Sequence, residues 1–317
     1  MRKFKTGRGG INNSETWRKG EFLMKLHRSK LFITAAAVCL FAACLSHADD
    51  KRHTLWKVKG KKNPVYLLGS LHLLKQKDYP LGSAIEDAFR KSDVVVFEVD
   101  MNRINDAEVQ QITLRKAILP GGQTLESKLS AKTYDLLKKE CLENGLNAAV
   151  LSKVKPWFAA VTLSMRKLMQ LGFSPDYGVD RHYFRKARKA GKKTSNLETI
   201  EYQIGLFDSF SYDEQDKLLA QTVVEMNTIE KDMDDIVAAW KTGDIKTLEK
   251  KLLKSFKEYP VIHRKFLTNR NKKWIGKIEE FLKTPESVMI IVGTGHLVGK
   301  ESVISLLKKK GYDVKQM

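Results

Sequence analysis

Cysteine is almost absent from this chain, whose 317 residues include only 3. Cys39 and Cys44 lie in an apolar segment near the N-terminus, which leaves Cys141 as the only cysteine of the expected folded part. No disulfide framework can form from a single cysteine. Stability must therefore come from the hydrophobic core, and we expect Cys141 to be a small buried apolar residue in a helix.

Several common catalytic and cofactor-binding motifs are also missing. The chain contains no Gly-x-Ser-x-Gly nucleophile elbow and no His-Glu-x-x-His pair. The last glycine of the run 293–299 comes one residue too late for a dinucleotide-binding fingerprint, and only 18 of the 317 residues follow it. These absences argue against a serine hydrolase, a zincin-type protease and a dinucleotide-binding protein.

The N-terminus has the pattern of a secretory signal peptide. Lys25, Arg28 and Lys30 precede the apolar run 31–45, which is shorter than the roughly 20 residues that a membrane-spanning helix needs. Small residues at 46 and 48 suit cleavage after Ala48. We therefore predict that residues 1–48 are an N-terminal extension with a signal peptide, and that the protein is exported to the periplasm or secreted.

Two details of this segment stay open. The first 23 residues are polar and long for a signal peptide, so that Met1 and Met24 are both candidate starts. Cleavage before Cys44, with a lipid anchor on that residue, is the weaker alternative to cleavage after Ala48. We expect membrane association only through the signal peptide or through such an anchor.

Basic residues outnumber acidic ones, with 57 Lys and Arg against 37 Asp and Glu, and the net charge is +20. Such a charge can attract nucleic acid, acidic polysaccharide or a lipid surface. The lysines, however, are scattered over many segments, as is typical of solvated helix faces. We therefore do not expect a nucleic acid partner.

Strand patterns lie near both ends of the chain, and helical patterns fill the middle. Residues 54–58 and 65–68 form a predicted hairpin, and further strands are predicted at 94–99, 192–197, 287–292 and 311–314. Residues 94–97 are apolar at every position, as in a strand buried on both faces of a mainly parallel sheet. A strand, a helix from Ser83 to Lys91 and a second strand give a βαβ pattern.

These patterns predict a single α/β domain over residues 49–317. Its central sheet is mixed but mainly parallel, and the N- and C-terminal parts of the domain form it together. A large inserted helical lobe is predicted over about 105–175 and 211–284, because helical patterns run through both segments.

Titratable side chains follow the predicted strands at their carboxyl ends. His72 and His296 each close a Gly-x-x-His tetrapeptide, Gly69-Ser70-Leu71-His72 and Gly293-Thr294-Gly295-His296, while Glu98 and Glu198 follow two other strands. Ligands of open α/β sheets bind beyond these strand ends, and imidazoles with carboxylates are sufficient to hold a divalent metal. Glycine at this corner allows a positive φ angle and close backbone approach.

The same residues carry a resemblance to a known family. Residues 66–72, 95–100 and 291–296, together with 178–184 and 197–203, resemble the TraB/GumN family, which includes the Tiki metalloproteases, in pattern and in order. The resemblance implies an α/β core related to erythromycin-esterase-like and ChaN-like proteins. It also implies metal-dependent peptidase activity of the kind known for Tiki members.

Carried over position by position, His72, Glu98 and His296 match the proposed metal or catalytic residues of the family. Asp180, Glu198 and Gln203 match a second motif, and structural roles are equally compatible with them: Asp180 can start a helix, and Glu198 can cap a helix or pair with Arg181 or Arg185.

The working hypothesis is an exported, metal-dependent, peptidase-like hydrolase that acts on a peptide or protein. A divalent ion such as Mn²⁺, Co²⁺ or Zn²⁺ would lower the pKa of a bound water, and Glu98 would be either its ligand or the general base. The alternative is a binding or signal-capture protein that keeps the fold without catalysis. The sequence identifies neither the substrate nor the oligomeric state.

Overall fold

The computed structural model describes residues 52–254, 256 and 259–317. The predicted signal peptide, with Cys44 and Ala48, lies outside these residues. Six strands form one sheet within the described part: β1 Leu55–Val58, β2 Val65–Ser70, β3 Val94–Phe97, β4 Lys193–Asn196, β5 Val288–Gly293 and β6 Val314–Gln316.

The strand order of the sheet is β4-β3-β5-β2-β1-β6. The four strands β4, β3, β5 and β2 are mutually parallel, whereas β1 is antiparallel to both β2 and β6. Strand β5, near the C-terminus, lies between β3 and β2 from the N-terminal part of the domain. The predicted mixed, mainly parallel sheet that both ends of the domain share is confirmed.

Helices occupy most of the remaining described chain. Their bounds are α1 Ser83–Lys91, α2 Ala107–Ala117, α3 Ala131–Glu143, α4 Pro156–Gln170, α5 Val179–Lys189, α6 Ile200–Asp208, α7 Tyr212–Glu225, α8 Ile229–Thr242, α9 Ile245–Leu252, α10 Pro260–His263, α11 Asn269–Phe281 and α12 Val303–Lys309. A π-helical turn, Arg264–Thr268, joins α10 to α11.

Local signals set several helix ends. The Ser211 hydroxyl accepts a hydrogen bond from the backbone N–H of Glu214, and the Glu214 side chain accepts one from the N–H of Ser211, so α7 begins with a capping box. Gly243 ends α8 with a φ of 63°, a left-handed conformation that favours glycine.

Alternate residues of each strand face the two sides of the sheet, and helices cover both sides. Leu68, Val95 and Ile291 belong to a core shared with α1, α5, α8 and α9. Leu67, Val96 and Ile290 belong to the opposite core, shared with α11 and α12. Because the central strands are buried on both faces, their sequences are continuously apolar rather than alternating.

The helical lobe has a separate, smaller core that includes Leu137, Cys141, Leu163 and Leu219 from α3, α4 and α7. Cys141 is buried there, as predicted. Residues 211–284 were expected to extend the lobe, but only α7 contributes to this core. Helices α8, α9 and α11 pack on the sheet instead, because their apolar faces cover the two sides that the strands leave open.

No helix in the part of the chain that the structure describes is long and apolar enough to cross a membrane.

Truncation of a central strand residue should destabilise the fold. Ile290 is fully buried in β5, so Ile290→Ala should lower the free energy of unfolding by about 2–5 kcal/mol through lost burial and a residual cavity. Chemical denaturation would measure the change. Leu142→Ala is the control: Leu142 is exposed, and a comparable loss in both variants would contradict the core described above.

Candidate active site

The candidate site lies where the four parallel strands end. Each strand is followed within three residues by one predicted site residue: Glu198 after β4, Glu98 after β3, His296 after β5 and His72 after β2. The register pairs Ser70 of β2 with Gly293 of β5, which aligns the two Gly-x-x-His corners. The structure thus brings together residues that are more than 200 positions apart in the sequence.

Glu98 is the centre of the site. Its Oε1 accepts a hydrogen bond from the backbone N–H of Gly293 at 2.6 Å. Its Oε2 accepts hydrogen bonds from Arg270 NH2 at 2.6 Å and from Gln203 Nε2 at 2.9 Å. The carboxylate is therefore fixed in orientation, and Oε1 is the oxygen that lies toward His296, 3.9 Å from its Nε2.

Arg270 joins the acidic and imidazole groups of the site. Besides its bond to Glu98, it donates from Nε to Glu198 at 2.9 Å and from NH1 to the carbonyl of Phe266 at 3.0 Å. NH1 also lies 3.0 Å from His296 Nε2. The arginine side chain is only 7% exposed and those of Glu98 and Glu198 are 12% and 6% exposed, so the charges pair largely away from solvent.

Asn271 fixes the protonation pattern of His296. The Asn271 side chain donates from Nδ2 to the carbonyl of Glu301 at 2.8 Å, which turns its Oδ1 toward His296 Nδ1 at 2.6 Å. A carbonyl oxygen only accepts, so Nδ1 carries the proton and Nε2 carries the lone pair. Arg270, which only donates, faces that lone pair.

His72 lies at the mouth of the site and pairs with Asp180. Its Nδ1 is 3.4 Å from Asp180 Oδ1, which also accepts a hydrogen bond from Ser70 Oγ at 3.0 Å. The N-terminus of α5 approaches the His72 backbone closely, since a Cβ on Gly178 would lie 2.3 Å from the His72 carbonyl oxygen. Asp180 thus lies in the first turn of α5 and also orients His72.

Glu198 pairs with neither Arg181 nor Arg185, the partners of the structural alternative left open above. Arg181 pairs with Asp176 at 2.9 Å, and Arg185 donates to the carbonyl of the same residue. Glu198 instead binds Arg270, because α11 packs over the end of β4 and places this arginine beside it. The amide of Gln203 bridges Glu98 and Glu198, at 2.9 and 3.3 Å.

Close approach, not a positive φ angle, explains the two motif glycines. Gly293 has a φ of −50°, and Gly69 is absent from the glycines with positive φ. A Cβ on Gly69 would lie 2.8 Å from Thr294 Oγ1, and one on Gly293 would lie 3.1 Å from Glu98 Oε1 and 3.4 Å from His72 Nε2. Glycine leaves the space in which these side chains converge.

The two histidines of the site have different protonation states at pH 7, because their surroundings shift their pKa values in opposite directions. Burial lowers the pKa of His296 to about 3, and Glu98 only partly offsets this effect. Burial also lowers the pKa of His72, but the Asp180 and Glu98 charges outweigh it and raise this pKa to about 9. The His72 side chain is 56% exposed, so solvent screens part of that pairing.

Glu98 is ionised at neutral pH. Burial alone would raise its pKa, but His296, Arg270 and His72, with the hydrogen bond from Gly293, hold it well below its usual range. His296 is neutral at pH 7, so at this pH the charges that stabilise the ionised Glu98 carboxylate are those of Arg270 and His72.

A cleft of about 430 Å³ opens over these groups. His72, Glu98, Arg270 and His296 line its polar side, and apolar walls come from Leu206, Phe207, Phe266 and Leu267. A second cavity of about 560 Å³ adjoins it and shares Leu267 and Gly295 with it. The site can therefore accept a ligand with both polar and apolar parts.

The donor set fits a divalent ion in its chemistry. Glu98 Oε1 and His296 Nε2 are 3.9 Å apart, which is close enough for both to hold one ion, and His72 Nε2 faces the same space beside Gly293. In the described residues, however, no three His, Cys, Asp or Glu side chains are arranged as a metal site. Arg270 holds the lone pair of His296 that such an ion would need.

Arg270 and Asn271 are the site residues that the sequence did not reveal. They lie on α11 in a charged helical segment, and no local pattern distinguishes Arg270 among the 57 Lys and Arg residues of the chain. Their role depends on the packing of α11 against the strand ends. The six predicted residues, His72, Glu98, Asp180, Glu198, Gln203 and His296, all lie in or beside the site.

Comparison with known proteins agrees with this architecture. The model of the TraB/PrgY/gumN family matches residues 54–316. The chain belongs to this family. The resemblance seen in the motifs is thereby confirmed, and the matched region includes every residue of the candidate site.

Individual relatives are distant. The uncharacterized protein YbaP of Escherichia coli (strain K12) is 23% identical over 245 residues, which cover 77% of this chain and 87% of YbaP. An uncharacterized protein of Treponema pallidum (strain Nichols) is 22% identical, with 88% and 87% covered. The metalloprotease TIKI2 of Danio rerio is 20% identical over 84% of this chain but only 61% of its own length. No solved structure matches the chain significantly.

The buried Glu98–Arg270 pair should make stability depend on pH. A carboxyl whose pKa is lowered in the native state stabilises the fold above its unfolded pKa and loses this contribution as the pH falls. Between about pH 5 and pH 3, the free energy of unfolding of the unaltered protein should therefore fall more steeply than that of Glu98→Gln. Denaturant titrations at several pH values would measure both slopes.

The matched control for this comparison is Glu108→Gln, since the Glu108 side chain is 72% exposed. Its slope should equal that of the unaltered protein. An equally steep slope for Glu98→Gln would contradict the assignment of a lowered pKa to Glu98.

Proposed function

We propose that this chain is an exported, metal-dependent hydrolase of the peptidase type. The observation that carries the proposal is the convergence of His72, Glu98 and His296 at the ends of three adjacent parallel strands, around one cleft. The relatives named metalloproteases, TIKI1 and TIKI2 of Danio rerio, support the same reaction class.

His72, Glu98 and His296 would hold the ion, and His72, which is protonated at neutral pH in the metal-free site, would release a proton on binding. When bound, a divalent ion such as Mn²⁺, Co²⁺ or Zn²⁺ supplies a water of lowered pKa. Asp180 at Nδ1 of His72 leaves Nε2 toward the cleft, and Asn271 at Nδ1 of His296 leaves Nε2 as the donor atom. Hydrogen bonds of this kind, from a neighbouring side chain to the second ring nitrogen, orient imidazoles that bind a metal.

Glu98 can act only through Oε1. Arg270 and Gln203 hold Oε2, whereas Oε1 has a single hydrogen bond, from Gly293, and keeps a lone pair for the cleft. A ligand would use this lone pair for the ion, and a general base would use it to accept a proton from water. Both roles are compatible with the same orientation.

The substrate is proposed to be a peptide or protein. Apolar walls formed by Leu206, Phe207 and Phe266 can bury aliphatic or aromatic side chains, and the polar side can engage a backbone carbonyl. The signal peptide predicted in residues 1–48 would place this activity outside the cytoplasm.

A binding protein without turnover is the second candidate function. The observation in its favour is that Arg270 engages both Glu98 and His296, which leaves the proposed metal ligands paired with a protein cation. Such a protein would use the cleft to capture a peptide or signal molecule.

Metal retention is the first test. His72→Ala and His296→Ala should each abolish divalent ion binding that the unaltered protein shows in equilibrium dialysis, because each removes a ligand. His182→Ala is the matched control, since this imidazole packs on Tyr79 and does not line the cleft. Unchanged binding in both cleft variants would exclude the proposed ligands.

Catalysis needs a separate measurement. Digests of a peptide library should show cleavage by the purified protein, loss of cleavage with a chelator, and recovery on addition of Mn²⁺, Co²⁺ or Zn²⁺. Glu98→Gln should reduce the rate by about 100-fold or more, and Glu108→Gln should leave it unchanged. Equal cleavage with chelator, without chelator and by Glu98→Gln would contradict the proposed hydrolase function and favour the binding protein.

A further inference from the structure

The guanidinium of Arg270 occupies the position from which a cation would contact the site. NH2 donates to Glu98 and Nε to Glu198, while NH1 donates to the Phe266 carbonyl and faces His296 Nε2 at 3.0 Å. The Arg270 side chain therefore contacts the buried carboxylates of Glu98 and Glu198 and the imidazole of His296 at the same time.

The electron pair on His296 can serve one partner at a time. Asn271 holds Nδ1, so Nε2 is the free donor atom of the ring, and it has a single lone pair. While NH1 of Arg270 lies on that lone pair, no metal ion can bind to it.

The geometry of the arginine links His296 to Glu98. Guanidinium groups are planar and rigid, so a rotation that takes NH1 away from His296 also moves NH2 away from Glu98 Oε2. NH2 also lies 2.9 Å from Glu198 Oε2, so the same rotation weakens the pairing with Glu198. Both candidate ligands would therefore be released together.

Charge compensation favours such an exchange. Without the arginine, Glu98 and Glu198 would be two largely buried carboxylates beside the neutral amide of Gln203. Leaving buried charges without a partner is strongly unfavourable, and a divalent cation is an alternative partner for them.

We propose that Arg270 is the resident cation of this site, and that a divalent ion binds His296 and Glu98 only by displacing its guanidinium. This inference rests on the metal site proposed above. It adds that Arg270 engages the side chains of His296 and Glu98 in the metal-free state. The affinity of the site for the ion is therefore set by competition with this arginine.

The preceding turn is consistent with a functional arginine. Residues Arg264–Thr268 form a π-helical turn immediately before α11, and the Phe266 carbonyl in this turn accepts a bond from Arg270. Single π-helical turns inside helices are frequent at functional sites. Trp274, one turn further along α11, lies under the guanidinium with its ring centre 4.9 Å from Cζ.

The test compares metal affinities rather than activity. Calorimetric titration of the full chain with Zn²⁺ or Mn²⁺ should give a dissociation constant about tenfold or more lower for Arg270→Gln than for the unaltered protein, which is within the usual range of coupling between two competing ligands. Arg264→Gln removes an exposed arginine of the same segment and should leave the constant unchanged.

A second variant covers the case in which Arg270→Gln does not fold. Arg270→Lys keeps a positive charge between the carboxylates, but its compact ammonium cannot bind Glu98, Glu198 and His296 together as the arginine does. Metal should therefore bind this variant more tightly than the unaltered protein, by a smaller factor than for Arg270→Gln.

The outcomes separate the two proposals. In the first outcome, the unaltered protein binds metal, His296→Ala abolishes this binding, and the Arg270 variants bind metal as tightly as the unaltered protein or more weakly. This result would overturn the proposed competition and leave the proposed metal site standing. Absence of metal binding in the unaltered protein and in both Arg270 variants would overturn both. Tighter binding by the variants that His296→Ala also abolishes would support both.

Discussion

The parallel pairing of β2 with β5 is the constraint on which the site depends. These strands are separated by more than 200 residues of sequence, yet Leu68 pairs with Ile291 and Ser70 with Gly293. A slip of one residue would move every side chain of a strand to the other face. The register therefore decides that the two Gly-x-x-His corners meet, and the fully buried apolar residues on both strands hold that register.

The buried charges depend on the same arrangement. Glu98 accepts from the backbone of Gly293 at the end of β5, so the strand pairing also orients this carboxylate. Arg270 then joins Glu98, Glu198 and His296 into one network with little exposure to solvent. Burial of so many polar groups is unfavourable unless all of them are bonded. The acidic groups of this network are bonded, and buried groups with strongly shifted pKa values, such as Glu98 and His296, are frequent at functional sites.

Much of the fold could be predicted because its signals are local. The hairpin of β1 and β2, helix α1 and the apolar run of β3 follow from short-range patterns in the sequence, and the structure has all three. The packing of α8, α9 and α11 could not be assigned in this way. An amphipathic helix has an apolar stripe, but the stripe does not state which surface covers it, so these helices were expected in the lobe and lie on the sheet instead.

By itself, the sequence determined the class of fold and the six candidate residues. Strand ends, the glycines that follow them and the family motifs are all recognisable within short segments of consecutive residues. Only the tertiary structure decided how those residues interact. Glu198 pairs with Arg270 rather than with Arg181 or Arg185, and Asn271 sets the proton of His296. Such contacts join distant segments through the packing of a helix across the strand ends, and no local pattern records which of many basic side chains will lie there.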